Sequence, residues 1–224
     1  IASMEKWQSQ STQARTFLSD TEYVAEDDYT VVAHIPTPGT IDLFTFADFA
    51  QYAAIMPKEV VEAAGPEGAQ EYIGTGPFQF EEWAQDQYIH FSKFDDYQSR
   101  EEPADGLVGK KEALVDDIYF HIVPDASTRI SGTLTGEYHI ANHIPHDDVD
   151  LIENDANATM DNALDMFPAI VFNKKKGFFT SQEARQAVNA ALNVEDILQA
   201  AYGGAEFYSM NHEYMSERQI GRAH

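Results

Sequence analysis

Hydrophobic and polar positions alternate with the two-residue period of strands in several short windows of the chain. Tyr29, Val31, Ala33 and Ile35 fall on one side of such a window, with Thr30, Val32 and His34 on the other. This predicts a strand, ended by Pro36 and Pro38-Gly39. Phe78–Trp83 and Tyr88–Phe94 predict a hairpin that turns over residues 84–87. In the stretch from Asp116, Ile118, Phe120 and Ile122 alternate with Tyr119, His121 and Val123. Both sets are largely apolar, which predicts a strand buried on both faces. Pro124 stops it, Asp125 can cap a helix carrying Ile130 and Leu134, and Gly136 ends that helix. Tyr138-His139-Ile140 then predicts a second strand. The whole reads as a βαβ unit and implies a parallel sheet.

Helical spacing appears elsewhere. Phe44, Phe46, Phe49 and Tyr52 mark a short helix within Asp42 to Ala54. Pro57 fits the first turn of a helix ending near Gly65, with Val60, Val61 and Ala64 inward. Val149, Leu151 and Ile152 are the apolar positions of a helix after the loop at 142–150. Ala169–Phe172 predicts a short buried strand. Thr180 and Glu183 match a capping box for a helix with Ala184, Val188 and Ala191 on one face. Asn193 caps a shorter helix through Ala201, with Ile197 and Leu198 inward, ended by Gly203-Gly204. Residues 1–20 show no clean period, and Trp7 and Phe17 are the candidate anchors there. Asp95 to Asp117, with Pro103, Gly106 and Gly109, reads as a linker or surface loop, with a lobe boundary at its end.

Composition changes this picture in two ways. The 38 acidic and 14 basic residues give a formal charge of −24. Such a surface repels nucleic-acid phosphates and anionic lipid, so neither is an expected partner. The excess reads first as a solvated acidic surface; a sharper reading is adaptation to high salt, where screening relieves self-repulsion. Cysteine is absent, which removes disulfides and thiolate metal sites. No apolar run is long enough to span a bilayer.

The densest set of candidate metal ligands is His139, His143 and His146 with Asp147 and Asp148. Pro145 interrupts it, and no helical repeat forces the rings together, so no metal or other cofactor is expected. Ser127, Ser131, Ser181 and Ser209 lack the strand-turn-helix context of an activated nucleophile. Gly74-Thr75-Gly76-Pro77 reads as a turn that other residues would resist. It is no phosphate loop, since no Lys-Ser/Thr follows and Pro77 lacks an N–H. In open α/β sheets, ligands sit beyond the carboxyl ends of parallel strands. The strand at 138–140 would deliver Asn142 and His143 to that edge.

Three stretches carry a resemblance. DDIYFHIVPDASTRISGTLTGEYHI, from Asp116 to Ile140, looks like the inter-lobe strand and first helix of the family 5 extracellular solute-binding proteins of ABC importers. EYIGTGPFQFEEW, from Glu71 to Trp83, is similar to that family's GTGP-aromatic segment. FNKKKGFFTSQEARQAVNAALNVEDI, from Phe172 to Ile197, resembles its FN…F…R-x-A segment. The three stand in the family's order. The resemblance implies an α/β fold of two-lobe, periplasmic-binding-protein-like (type II) architecture, here incomplete. Residues 1–117 would be part of the first lobe and 118–219 part of the second. Residues 220–224 resemble a translated sequencing adapter and would be a non-native tail.

The implied function is capture of an extracellular solute, a di- or oligopeptide, by lobe closure, and its delivery to ABC permease subunits in the membrane. The protein would be a periplasmic or extracellular monomer, anchored as a lipoprotein, and not an enzyme. Implied ligand contacts are Thr75 and Gly76, Asn142 and His143, and Met166 and Phe167. Asn173, Arg129 and Arg185 also match family positions, Asn173 as a structural residue and the arginines as helix-surface or inter-helix ion-pair residues. The acidic residue that fixes a peptide's amino end in peptide-binding members would lie beyond this chain. Rival readings are a binding protein for a nickel complex, haem or oligosaccharide, a metal-dependent hydrolase using His139, His143 and His146, and a regulator's sensor module.

Overall fold

In the computed structural model, residues 1–48, 50–65, 68–162 and 169–210 are described. The chain divides into two units, Ile1–Ile122 and Val123–His224.

The first unit begins with two helices, α1 (Ala2–Gln10) and α2 (Thr12–Phe17), over a stretch without clean periodicity. Ser11 joins them: its hydroxyl accepts from the Ala14 N–H at 3.2 Å and caps α2. Buried Trp7, Ala14 and Leu18 form the core, with Met4, Ile35, Phe46 and Ala53 packed against it. The Trp7 indole N–H donates to the Gln51 carbonyl, and its ring lies 5.6 Å from that of Phe46. The Ser3 hydroxyl is within 3.0 Å of both the carbonyl and the N–H of Met56. The core is therefore assembled across long sequence separations, which no local period records.

Strands β1 (Glu22–Ala25) and β2 (Val31–His34) form an antiparallel pair. Short helix α3 (Asp42–Phe46) and helix α4 (Lys58–Ala63) follow; Pro57 precedes α4, and Val60 and Val61 are buried. The predicted hairpin forms as β3 (Phe78–Ala84) and β4 (Tyr88–Lys93). Asp86, at φ 60°, supplies the left-handed residue its short turn needs.

Strand β5 (Asp117–His121) adds to this hairpin antiparallel to β4, giving the order β3-β4-β5. Here the structure corrects two expectations. The sheet is antiparallel, and β5 is not buried on both faces: Tyr119 is 49% and Phe120 58% exposed. The register sorts its side chains. Ile118 and Phe120 lie beside Phe91 and Ile89, while Tyr119 and His121 lie beside His90 and Tyr88. The first set is an apolar ladder in which Phe91 meets Phe80 and Phe120 edge-on, each at 5.9 Å. The second is a polar aromatic face, where His90 stacks on Tyr119 at 4.2 Å and its Nε2 lies 2.8 Å from an Asp117 carboxylate oxygen. Apolarity on both sides of β5 thus reflects aromatic residues on an open face.

In the second unit, α5 (Ala126–Leu134) is capped as predicted. The Asp125 carboxylate accepts from the Thr128 N–H and the Thr128 hydroxyl, each at 2.7 Å. Gly136 ends the helix at φ 80°. Ile130 and Gly132 are the buried positions of α5. A 3-10 turn, His146–Asp148, leads into α6 (Val149–Glu153), which buries Val149 and Ile152 and leaves Leu151 exposed. Helices α7 (Gln182–Ala191) and α8 (Val194–Tyr202) follow. The cap of α7 is Ser181, one residue past the predicted Thr180; its hydroxyl accepts from Ala184 N–H at 3.2 Å and donates to Glu183 at 2.6 Å. Asn193 caps α8 as predicted, although Ile197 is 48% exposed.

No ladder forms at 138–140 or 169–172, so the expected βαβ unit is absent among the described residues. A strand exists only through its neighbour's backbone groups. Among the described residues neither segment has such a neighbour, and Ile140 and Val171 are 82% and 89% exposed.

Candidate functional site

The candidate residues fall in both units, and each unit presents its own. In the first, Thr75 is exposed and Gly76 half-buried in the bend that enters β3. The bend is tied down just past these residues: the Pro77 carbonyl accepts from the Phe94 N–H at 3.0 Å. Neither Gly74 nor Gly76 takes a positive φ, and a Cβ on either would meet nothing within 4 Å. The expectation that this backbone demands glycine is therefore corrected. The glycines leave open space beside an anchored strand.

In the second unit, Asn142 and His143 are exposed, and neither side chain makes a hydrogen bond among the described residues. Their backbone is the opposite case. Arg129, the fourth residue of α5, gives its guanidinium to four carbonyls. Nη1 donates to Val123 and Pro124 at 2.8 and 2.9 Å, Nε to Asn142 at 3.2 Å and Nη2 to His143 at 2.9 Å. His143 sits at φ 56°, a left-handed backbone uncommon outside glycine. The Asn142–His143 loop is thus bolted to the segment entering α5. Met166 and Phe167 lie outside the described residues.

Arg185, the fourth residue of α7, repeats half of this device. Its Nη1 donates to the carbonyls of Phe179, Thr180 and Ser181 at 2.8, 3.1 and 3.0 Å. Both arginines are partly exposed on their helices, as the helix-surface expectation has it, and among the described residues neither takes part in an ion pair, so the ion-pair alternative finds no support there. The sequence held a signal for this. A cation in a helix's first turns opposes the positive end of the macrodipole, so arginine there needs another reason. Reaching back to carbonyls ahead of the cap is that reason. Asn173 is structural as expected, its side-chain oxygen accepting from the N–H groups of Lys175 and Lys176 at 3.0 and 3.3 Å.

The three histidines do not converge. His139 is exposed, and the His146 ring packs 5.3 Å from Tyr202 and 4.7 Å from Phe207. Among the described residues, no three His, Cys, Asp or Glu side chains group as a metal ion would require. The hydrolase reading has no geometric support there. Among the described residues, the second unit has open depressions at two places. One of about 370 Å³ is lined by Leu134, Asp150, Leu151, Asn154 and Asp155. The other, about 460 Å³, is lined by Phe172, Gln182, Arg185, Gln186, Asn189 and Ala190. Neither includes a candidate ligand contact. Among the described residues, no helix is long and apolar enough to cross a membrane.

Comparison with known proteins bears on the family and the fold. A probable peptide ABC transporter periplasmic-binding protein of Sinorhizobium fredii is 27% identical over 93% of the chain. The chain spans 40% of that protein's length. Among solved structures, the Helicobacter pylori periplasmic binding protein DppA in complex with the peptide STSA matches with TM-score 0.63 at 22% identity. That match covers 91% of this chain and 41% of DppA. The Agrobacterium tumefaciens binding protein MoaA, in complex with mannopinic acid, matches with TM-score 0.66 at 18% identity, over 89% of this chain and 39% of MoaA. At these identities the two structures show the fold, an α/β periplasmic-binding-protein architecture represented in part. The family description "Bacterial extracellular solute-binding proteins, family 5 Middle" matches residues 2–210, and the chain belongs to that family.

Proposed function

We infer that the protein is the substrate-binding component of an ABC importer and that its solute is a di- or oligopeptide. The observation that carries this is the family match over residues 2–210, joined by the peptide named with the Sinorhizobium and Helicobacter relatives. Capture involves no chemical step. Affinity comes from polar groups and stacking surfaces that lose water around the ligand. Gly76, next to exposed Thr75, offers a peptide backbone an open approach, since a Cβ there would meet nothing within 4 Å among the described residues. Asn142 and His143 offer exposed polar side chains on a backbone fixed in advance, which lowers the ordering cost of binding. Met166 and Phe167 are proposed as adaptable apolar contacts. The protein acts as a periplasmic or extracellular monomer, held at the membrane by a lipid anchor, and hands its solute to permease subunits.

A second reading keeps the fold and changes the ligand. MoaA binds mannopinic acid on the same architecture, so fold alone does not select peptides. Calorimetric titration of the full chain separates the two. Saturable heat with a di- to pentapeptide library supports the peptide reading. Silence with that library, and heat with a sugar-derived acid or a nickel chelate, reverses it.

A further inference from the structure

We propose that Arg129 is the positioning residue of the ligand loop at Asn142–His143, a role that rests on the peptide-binding reading of those two residues. The geometry is specific. A guanidinium has five N–H donors in a rigid plane, and here three of its nitrogens serve two separate pieces of backbone. One piece, Val123-Pro124, is the entry to α5; the other, Asn142-His143, follows the helix by several residues. The same side chain therefore fixes the distance and the angle between them.

His143 adds an independent observation. It and Asp86 are the non-glycine residues with positive φ among those described. Asp86 lies in a hairpin turn whose geometry calls for that conformation. His143 has no such turn. Its carbonyl, together with that of Asn142, is instead held by Arg129. An unfavourable backbone persists where surrounding contacts over-determine it, and such positions gather at ligand sites. Arg129 supplies those contacts, so the direction in which His143 and Asn142 offer their side chains depends on it.

Lysine in place of arginine keeps the charge but concentrates it on one nitrogen, which cannot reach both pieces of backbone at once. Arg185 is the matched control. It stands at the same place in its own helix and also binds backbone carbonyls, but those carbonyls lie in the segment running into its own helix and none belongs to the candidate loop. The test compares R129K and R185K in the full chain by three readouts: amide hydrogen exchange over residues 141–145, thermal melting, and titration with a di- to pentapeptide library. The expected result is that R129K speeds exchange over 141–145 and weakens peptide binding about tenfold through lost preorganisation. R185K lowers the melting temperature without changing either. Unchanged exchange in R129K overturns the proposal, as does a loosened loop with unchanged affinity. If the unsubstituted chain binds none of the library, the peptide reading fails by itself. The exchange comparison then still decides whether Arg129 holds the loop.

Discussion

The two units reach their structures by different means. In Ile1–Ile122 the decisive contacts are distant in sequence: Trp7 against Phe46 and the Gln51 carbonyl, Ser3 against Met56, β4 between β3 and β5. In Val123–His224 most of the described order is made locally, at helix ends. Asp125, Ser181 and Asn193 cap their helices, Gly136 and Gly203 end two of them, and Arg185 folds back on carbonyls a few residues away; the longer reaches are Arg129 to the Asn142 and His143 carbonyls and the His146 ring to Tyr202 and Phe207. Caps and clamps fix helix ends without burying much surface. Burial in the second unit is correspondingly thin: Ile130, Val149, Ile152 and Ala184 are its buried apolar side chains among the described residues.

The contrast is open to direct attack, and the largest effect lies in the first unit. Trp7→Ala removes the ring at the centre of that core and is expected to cost about 3–5 kcal/mol. Hydrogen exchange over residues 1–60 checks it; retained protection there would show that the core does not depend on Trp7. In the second unit Gly132→Ala sets two effects against each other. Alanine favours a helix by roughly 1 kcal/mol over glycine. A Cβ at this buried position would lie 2.5 Å from the Tyr138 ring, however. Overpacking of this kind costs about 1–3 kcal/mol, so the net effect is destabilising. A raised midpoint in denaturant would show instead that Tyr138 moves aside freely.

A smaller effect concerns pH. Hydrogen bonds from the Thr128 hydroxyl and then the Thr128 N–H hold the Asp125 carboxyl below its ordinary value of 3.8. A depressed folded value means that the contribution is fully present above pH 3.8 and is lost as pH falls through the lower folded value. Asp125→Asn keeps an accepting oxygen and does not titrate, so it should flatten the acid limb of α5 melting. An unchanged limb would remove this carboxylate from the account. The smallest effect is that of salt. With a net charge of −24, screening should raise the melting temperature between low and molar NaCl. A flat or falling response would remove self-repulsion as a factor.

The same contrast explains what the sequence disclosed. Asp125, Asn193, Pro57 and the Tyr88 hairpin were legible because each acts on residues within a turn or two. The helices at 2–17 were not, since Trp7 meets its partners Phe46 and Gln51 some forty residues away. The strands expected at 138–140 and 169–172 had the right residue types but no described neighbour to pair with. At the candidate site, Asn142 and His143 were reached through a strand expected at 138–140 that would carry them to a sheet edge; that strand is absent among the described residues, and the four-carbonyl grip of Arg129 was not legible at all. A guanidinium bonded to backbone leaves no partner side chain in the sequence to find.

The most direct test of the central reading is calorimetric titration of the full chain with di- to pentapeptides. Peptide capture predicts saturable heat that weakens in Arg129→Lys and persists in Arg185→Lys. No heat with any peptide, from a chain that still melts cooperatively, would contradict it.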